Sequence, residues 1–170
     1  GEVKQVSITF IEGHSFAQMR KALDSHPDLT HTTKDLPEAE LLSLVGASEP
    51  HPEGLFFPET YRFHKGASDV EILKRAYRDM QTHLTGLWAA RDASLPLKTP
   101  YEALVLASIV EKETGQAAER PQIAAVFVNR LNINMRLQTD PTVIYGLGTN
   151  FDGDLTKAHL RADTPYNTYT

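Results

Sequence analysis

The alternation of hydrophobic and polar residues near the start of the chain predicts a strand and then an amphipathic helix. Residues 6–11 alternate polar and apolar side chains, several of them β-branched, until Glu12-Gly13 interrupts the pattern. Such a pattern is typical of a half-buried strand that ends in a turn. Ser15 is suited to cap a following helix, because apolar residues recur at helical spacing over residues 16–23. The chain is therefore predicted to open with a strand, a turn and a short helix.

The same pattern predicts two more helices and an extended segment before residue 96. Residues 37–45 are expected to be helical, because Pro and Glu suit a first helical turn. Residues 54–63 are rich in aromatic and β-forming residues, which predicts a strand pair or an extended segment. From Asp69 to about Arg91 the apolar residues recur at helical spacing, which predicts one long helix.

A further helix has a well-defined predicted start. Thr99 is a good N-cap residue, Pro100 suits the first helical position, and Glu102 stands where it would complete a capping box. The helix is expected to run to residue 113 or 114, because Gly115 is a common stop. Two shorter helices are predicted after it, over residues 121–131 and 140–146. The whole chain is therefore predicted to be α+β, with a mostly helical C-terminal half.

Composition and charge exclude several functional classes. Hydrophobic residues make up 41% of the 170 residues and charged residues 23%, which is ordinary for a folded globular unit. The net charge is -5 and the basic residues are scattered, so no nucleic-acid partner is expected. There are no cysteines, which excludes disulfides and thiolate metal sites.

Neither end of the sequence has the features of a natural terminus. No apolar run approaches the roughly 20 residues that span a bilayer, and Gly1 is not followed by a signal segment. Residues 166–170 show no terminating pattern. We therefore expect the chain to be a fragment of a longer protein.

One acid stands out in the helix predicted to follow Thr99. Residues 101–114 are apolar nearly all round, which predicts a helix buried in the centre of its domain. At roughly 100° per residue, Glu113 lies on a stripe with Ile109, whereas Glu111 lies on the opposite side with Ser108. A carboxyl group on an apolar stripe loses hydration in its charged form, which favours the protonated form that a general acid needs.

Less specific interpretations of these residues stay open. Glu111 and Glu113 could both be solvated glutamates paired with Lys112 or Arg120. Asp140 could be a second carboxylate for glycoside chemistry or an ordinary N-cap before proline.

The aromatic and amide side chains near the end of the chain could contact a sugar or could belong to a plain loop; they are Tyr166, Asn167 and Tyr169. The seven histidines include no pair with the spacing of a zinc hydrolase, and neither a phosphate-binding loop nor a serine nucleophile elbow is present. No metal and no cofactor are therefore predicted.

Four motifs in order resemble the MltG/YceG-like family of endolytic murein transglycosylases. They are residues 106–114 (LASIVEKET), 128–131 (VNRL), 135–146 (MRLQTDPTVIYG) and 166–169 (YNTY). The Glu12-Gly13 turn and residues 57–61 are similar to earlier stretches of that family. The resemblance covers nearly the whole chain.

The resemblance implies both an organisation and a location. It implies an N-terminal α/β part over residues 1–66 and a lysozyme-like, mostly helical catalytic region over residues 67–170. The parent protein would be a single-pass inner-membrane protein with its catalytic domain in the periplasm and an anchor outside this chain. Its substrate would be nascent peptidoglycan glycan strands, and its partners would be peptidoglycan polymerases of the penicillin-binding class.

The resemblance also implies a mechanism with one acid. Glu113 is followed by Thr114, which fits the Glu-Ser/Thr pattern of related transglycosylases, whereas Glu111 does not fit it. Glu113 would protonate the glycosidic oxygen between N-acetylmuramic acid and N-acetylglucosamine, and the muramic C6 hydroxyl would then close on C1 to give a 1,6-anhydro end.

Sugar-positioning roles are implied for Gln138, Asp140, Tyr145, Tyr166, Asn167 and Tyr169, and supporting roles for Glu111 and Thr114. Two alternatives stay open. One is a hydrolytic muramidase that uses Glu113 with Asp140. The other is a peptidoglycan-binding scaffold without catalysis.

Overall fold

The computed structural model describes residues 4–170, which form two compact units divided between Ala90 and Arg91. The first unit contains β1 (Gln5–Thr9), α1 (Phe16–Asp24), α2 (Glu38–Val45), β2 (Thr60–His64) and α3 (Asp69–Ala89). The second unit contains α4 (Pro100–Glu113), α5 (Arg120–Asn132), α6 (Asp140–Leu147) and α7 (Lys157–Arg161), with short 3-10 turns at Ala117–Glu119 and Gly148–Asn150. The predicted α+β class with a dominant helical content is confirmed.

The two strands pair antiparallel and alternate between buried and exposed side chains. Ile8 lies opposite Tyr61, and Val6 lies opposite Phe63. Ile8, Tyr61 and Phe63 are buried, as expected when one face of the sheet covers a core. Of the segment predicted to be extended, only its end forms a strand, β2. Gly54, at the start of the segment, takes a left-handed backbone conformation.

The predicted cap of α1 is present. The Ser15 hydroxyl accepts a hydrogen bond from the backbone N–H of Gln18, and the Gln18 side chain accepts one from the N–H of Ser15. This reciprocal capping box satisfies two backbone donors that the first turn of a helix leaves free. The buried residues of α1, at Phe16, Met19 and Leu23, have the helical spacing that the sequence shows.

Helix α3 belongs to the first unit. Its first half buries Ile72, Leu73 and Ala76, and the Ala76 carbonyl accepts a hydrogen bond from the N–H of Phe57. The compact units therefore place this helix with the N-terminal elements, whereas the sequence grouped residues 67–170 together. The domain boundary after residue 66 stays a prediction, since the compact division describes packing and not function.

A fully buried carboxylate joins α3 to the segment before α2. Asp69 is 0% exposed, and its two oxygens accept hydrogen bonds from the backbone N–H and the hydroxyl of both Thr32 and Thr33. Burial on its own raises the pKa of Asp69, but these four hydrogen bonds outweigh burial and hold the pKa below its usual value.

Helix α4 begins as predicted, but its capping differs in one detail. The Thr99 hydroxyl accepts a hydrogen bond from the N–H of Glu102 at 3.1 Å. The Glu102 carboxylate accepts from the N–H of Lys98 at 2.6 Å, one residue earlier than a capping box requires. The start of the helix is therefore capped by both side chains without the reciprocal pair at Thr99.

The expectation that α4 is buried in the centre of its domain is wrong. Its buried residues are Leu106, Ile109 and Val110, which pack with Phe127 of α5, whereas Val105 on the other side is 44% exposed. The reason is that α4 packs on α5 and α6 through one stripe only. No helix within residues 4–170 is both long enough and apolar enough to cross a membrane.

Candidate active site

The structure places Glu113 at the end of α4 with its side chain exposed and hydrogen-bonded. Its Oε1 accepts a hydrogen bond from the hydroxyl of Thr139. The expectation that Glu113 is desolvated on an apolar stripe is wrong for this chain. The stripe through Ile109 and Val110 ends one turn earlier, so the last residue of the helix lies at the surface of its unit.

Thr139, by contrast, is only 2% exposed. Its backbone is fixed by hydrogen bonds to Thr168. Its backbone N–H donates to the hydroxyl of Thr168 at 2.9 Å. The preceding N–H, that of Gln138, donates to the Thr168 carbonyl at 3.1 Å. Gln138 has a φ of 52°, in the left-handed region that non-glycine residues rarely adopt. The C-terminal loop therefore fixes the backbone that presents Thr139 to Glu113.

Asp140 is the first residue of α6, and Thr139, not Asp140, is the N-cap. The Asp140 carboxylate accepts a hydrogen bond from the Tyr169 hydroxyl at 2.5 Å. The guanidinium of Arg136 donates to the Tyr169 carbonyl at 2.9 Å, which ties down the same residue. The hydrogen bond to Asp140 raises the pKa of Tyr169 to about 12, with smaller contributions from burial and from the charges of Asp140 and Glu113. Tyr169 is therefore neutral at physiological pH.

Two tyrosines, one in α6 and one in the C-terminal loop, form an exposed aromatic corner. The rings of Tyr145 and Tyr166 meet edge to face with centroids 5.0 Å apart, and the two residues are 46% and 40% exposed. Gly146 allows this approach, because a Cβ there would lie 3.3 Å from the Cβ of Tyr166. Exposed aromatic faces and edges of this kind suit contact with the apolar face of a sugar ring.

Asn167 is buried and is occupied by the backbone of its own loop. Its Nδ2 donates to the Ala162 carbonyl at 2.6 Å and approaches the carbonyls of His159 and Leu160, while its Oδ1 accepts from the N–H of Tyr169 at 2.8 Å. Both ends of the amide are therefore used internally. The structure assigns this side chain contacts that shape the loop between Tyr166 and Tyr169.

Glu111 and Thr114 contact the segment that follows α4. Glu111 is partly buried and pairs with Arg120 of α5 at 3.1 Å, as the less specific interpretation of the sequence expected for this residue. Thr114 is buried, and its hydroxyl donates to the carboxylate of Glu119 at 2.6 Å and accepts from the N–H of Gln116. Both residues hold the end of α4 against the start of α5.

Sequence reasoning missed Thr139 and Thr168, which support the site. Thr139 lies between Gln138 and Asp140, for which the family resemblance implies sugar-positioning roles. A threonine before Asp-Pro, however, has the pattern of an ordinary helix N-cap. Only its tertiary partner shows that its hydroxyl faces Glu113.

The chemistry available at this site is that of one exposed carboxyl group with an oriented hydrogen-bond donor, a neutral tyrosine and an aromatic corner.

Within residues 4–170, the one group of side chains with metal-ligand spacing is Asp24, His31 and Asp69, in the first unit. Asp69 already accepts five hydrogen bonds, four of them from Thr32 and Thr33 and one from the Ser68 hydroxyl, so its lone pairs are committed to these residues.

Comparison with known proteins supports one family over the whole chain. The model of the YceG-like family matches residues 1–170. An endolytic murein transglycosylase of Bacillus subtilis is 32% identical over 157 residues, which are 92% of this chain and 43% of that protein. An endolytic murein transglycosylase of Streptococcus pneumoniae (strain R6) is 34% identical over 121 residues, which are 69% of this chain and 22% of that protein.

A solved structure agrees with these sequence matches. The crystal structure of a YceG-like protein of Listeria monocytogenes superimposes with a TM-score of 0.70 at 28% sequence identity, and the match covers 98% of this chain and 60% of that one. The chain thus spans less than half the length of the Bacillus relative that it matches. Since the family model matches every residue and the fold agrees, the chain belongs to the YceG-like family.

Proposed function

We propose that this chain carries the catalytic centre of an endolytic murein transglycosylase, with Glu113 as its only acid and base. The relatives in Bacillus and Streptococcus have that name. The observation that carries the proposal is the hydrogen bond from Thr139 to Glu113, because it brings two distant family-like motifs to one carboxyl group. The exposure of Glu113 fits a group that must reach a polymeric substrate.

In the proposed reaction Glu113 first donates a proton to the substrate and then takes one back from it. Protonated Glu113 donates to the oxygen that links C1 of N-acetylmuramic acid to N-acetylglucosamine, and the C1–O bond breaks. The resulting carboxylate then takes the proton of the C6 hydroxyl of the same muramic residue, and O6 bonds to C1. The products are a 1,6-anhydro end and a free N-acetylglucosamine hydroxyl, and the enzyme returns to its starting state. No water and no protein nucleophile are consumed, unlike the two-carboxylate glycosidases.

Neighbouring residues would position the sugars. Tyr145 and Tyr166 offer an exposed aromatic corner against which a pyranose ring can lie. Gln138 presents its side chain from a backbone that Thr168 fixes, next to the residue that contacts Glu113. Asn167 would act through the loop it organises and not by touching substrate, because both ends of its amide are occupied.

Asp140 and Tyr169 would act as a pair. The Tyr169 hydroxyl donates to Asp140, which leaves the phenolic oxygen as an acceptor for a sugar hydroxyl. The same hydrogen bond occupies the Asp140 carboxylate with the Tyr169 hydroxyl. This arrangement favours a positioning role over activation of a hydrolytic water, as the muramidase alternative would require.

Replacement of Glu113 by Gln tests the proposal. The amide keeps the size of the side chain and can still accept the Thr139 hydrogen bond, but it cannot shuttle a proton. We expect the release of anhydro-muropeptides from peptidoglycan to fall by about 10² to 10⁴ or more, with an unchanged melting temperature because the side chain is exposed. A folded Glu113→Gln protein that cleaves at the wild-type rate would refute the assignment.

Mass spectrometry of the products separates the alternative functions. Soluble fragments with 1,6-anhydro ends support a transglycosylase, whereas fragments with reducing ends would show a hydrolytic muramidase. Binding to peptidoglycan without any soluble fragment would show a scaffold. Each outcome should be measured with the full-length protein.

The proposed substrate also sets a location and a partner class. Peptidoglycan lies outside the cytoplasmic membrane, so the catalytic region would work on the periplasmic side of an inner membrane to which the full-length protein is anchored by a single pass. Polymerases of the penicillin-binding class would supply nascent strands to it. Cleavage of the catalytic region by protease added to spheroplasts, but not to intact cells, tests this placement.

A further inference from the structure

The Thr139 hydroxyl does not cap the helix that begins after it. A threonine at a helix N-cap ordinarily accepts a hydrogen bond from an N–H in the first helical turn, as Thr99 does at the start of α4. Thr139 is the N-cap of α6, yet its side chain makes no capping hydrogen bond. It donates instead to Oε1 of Glu113.

The surroundings of Thr139 commit its hydroxyl to this one acceptor. The residue is 2% exposed, so solvent water has almost no access to its side chain. Its N–H is bound by the Thr168 hydroxyl, and its carbonyl accepts the Thr142 hydroxyl at 2.8 Å. The left-handed backbone at Gln138 sets the direction in which the residue enters the helix. Backbone and side-chain contacts together aim one hydroxyl at one carboxyl oxygen.

We propose that Thr139 is a positioning residue for Glu113 that decides which carboxyl oxygen carries the catalytic proton. This inference rests on the proposed role of Glu113. When Glu113 is protonated, Oε1 is engaged as an acceptor, so the proton lies on Oε2, which becomes the oxygen that meets the glycosidic bond.

The same hydrogen bond supports the first half of the reaction, in which Glu113 gives up its proton. After Glu113 has donated its proton, the carboxylate carries a full negative charge, and a hydrogen bond to a charged acceptor is about twice as strong as a neutral one. The Thr139 hydroxyl therefore stabilises the carboxylate that forms as the proton passes to the glycosidic oxygen. It also keeps the side chain in one rotamer while the proton leaves and returns.

The test compares three variants of the full-length protein on soluble, uncross-linked glycan strands. Thr139→Val removes the hydroxyl at nearly constant volume, and Thr139→Ser keeps it. Thr99→Val is the matched control, because it removes a helix-capping hydroxyl from the other end of the helix that carries Glu113. Rates of anhydro-end formation give kcat and KM for each variant, and thermal unfolding gives stability.

We expect Thr139→Val to lower kcat by about 10- to 100-fold, the range for loss of one hydrogen bond to a charged group, with little change in KM. Thr139→Ser should recover most of that loss. Thr99→Val should lower the melting temperature but keep kcat.

Two results overturn the inference. One is a Thr139→Val protein with wild-type kcat. The other is an equal loss of kcat in Thr139→Val and Thr139→Ser in step with their melting temperatures, because the effect would then be structural. An active Glu113→Gln protein would refute the proposed function itself. An inactive Glu113→Gln beside a fully active Thr139→Val would refute only the role of Thr139.

Discussion

Two glutamates that are two residues apart have different partners, and this difference shows how the site depends on single side chains. Glu113 ends α4 and accepts the hydroxyl of Thr139, 26 residues later. Glu111 turns to the other side and pairs with Arg120 at the start of α5. Both groups are acidic and lie in the same helical turn, so residue type alone does not separate a catalytic candidate from a structural one.

Replacement of Glu111 by Gln is expected to affect stability more than catalysis. The ion pair with Arg120 is partly exposed, so its loss should lower the free energy of unfolding by no more than about 1 kcal/mol. Anhydro-muropeptide release should stay within a few-fold of wild type. Denaturant unfolding and product analysis of Glu111→Gln beside Glu113→Gln check this. A folded but inactive Glu111→Gln protein with an active Glu113→Gln protein would transfer the catalytic role to Glu111.

At the scale of elements, α6 and the C-terminal loop approach each other closely at one glycine. A Cβ at Gly146 would lie 3.3 Å from the Cβ of Tyr166 and 3.6 Å from the Thr164 hydroxyl. The loop is anchored by Asn167, so it has little freedom to move away. Gly86 in α3 is the contrasting case, because nothing lies within 4 Å of a Cβ built there.

The two glycines are expected to respond differently to alanine. Gly86→Ala should raise the free energy of unfolding by up to about 1 kcal/mol, since alanine is the better helix former. Gly146→Ala should not raise the free energy of unfolding in this way. It should also raise the KM for substrate cleavage, because the added methyl group displaces Tyr166. Paired unfolding curves and kinetics measure both effects. Equal stabilisation by the two substitutions, with unchanged KM, would contradict the close-packing argument.

At the scale of the whole molecule, the two units are stabilised in different ways. The first unit contains most of the fully buried side chains, including Leu41, Leu55 and Tyr61, and has a buried carboxylate at Asp69. The second unit has a smaller core around Phe127 and depends more on hydrogen bonds between loops and helix ends. Acid should therefore affect the first unit through Asp69.

The pH dependence follows from the lowered pKa of Asp69. Because the unfolded chain takes up this proton at a higher pH than the folded chain, the contribution to stability is complete above the ordinary value of 3.8 and is lost as pH falls through the folded value. Asp69→Asn should lower the free energy of unfolding by about 3 kcal/mol at pH 7, and the gap to wild type should narrow below about pH 4.

Urea unfolding of both proteins between pH 3 and pH 7 measures this gap. Asp35→Asn, at an exposed position, is the control for the loss of one negative charge. A gap that is independent of pH, or one no larger than that of the control, would show that the charge of Asp69 does not stabilise the fold.

The sequence by itself determined the starts of α1 to α6 to within about one residue, the fold class and the family, whereas the short helix α7 was not predicted. Capping and periodicity act between residues at most four positions apart, so Ser15 and Thr99 could be recognised as caps from their neighbours alone. The order of the motifs identified the family, and the Glu113-Thr114 pair singled out Glu113 over Glu111. The deviation at Glu102, which caps Lys98 instead of Thr99, is a matter of one residue within the same turn.

Only the tertiary structure decided what surrounds the acid. The angular position of Glu113 on α4 follows from the sequence, but its exposure depends on where the neighbouring helices stop packing. The partner of Asp140 is Tyr169, 29 residues away, and Thr139 reaches Glu113 across 26 residues. Such hydrogen bonds depend on the left-handed backbone at Gln138 and on the loop that Asn167 holds, and no local pattern encodes either. Local free energies fix where helices begin and end, whereas the choice of partner for an exposed carboxyl group is made by long-range packing.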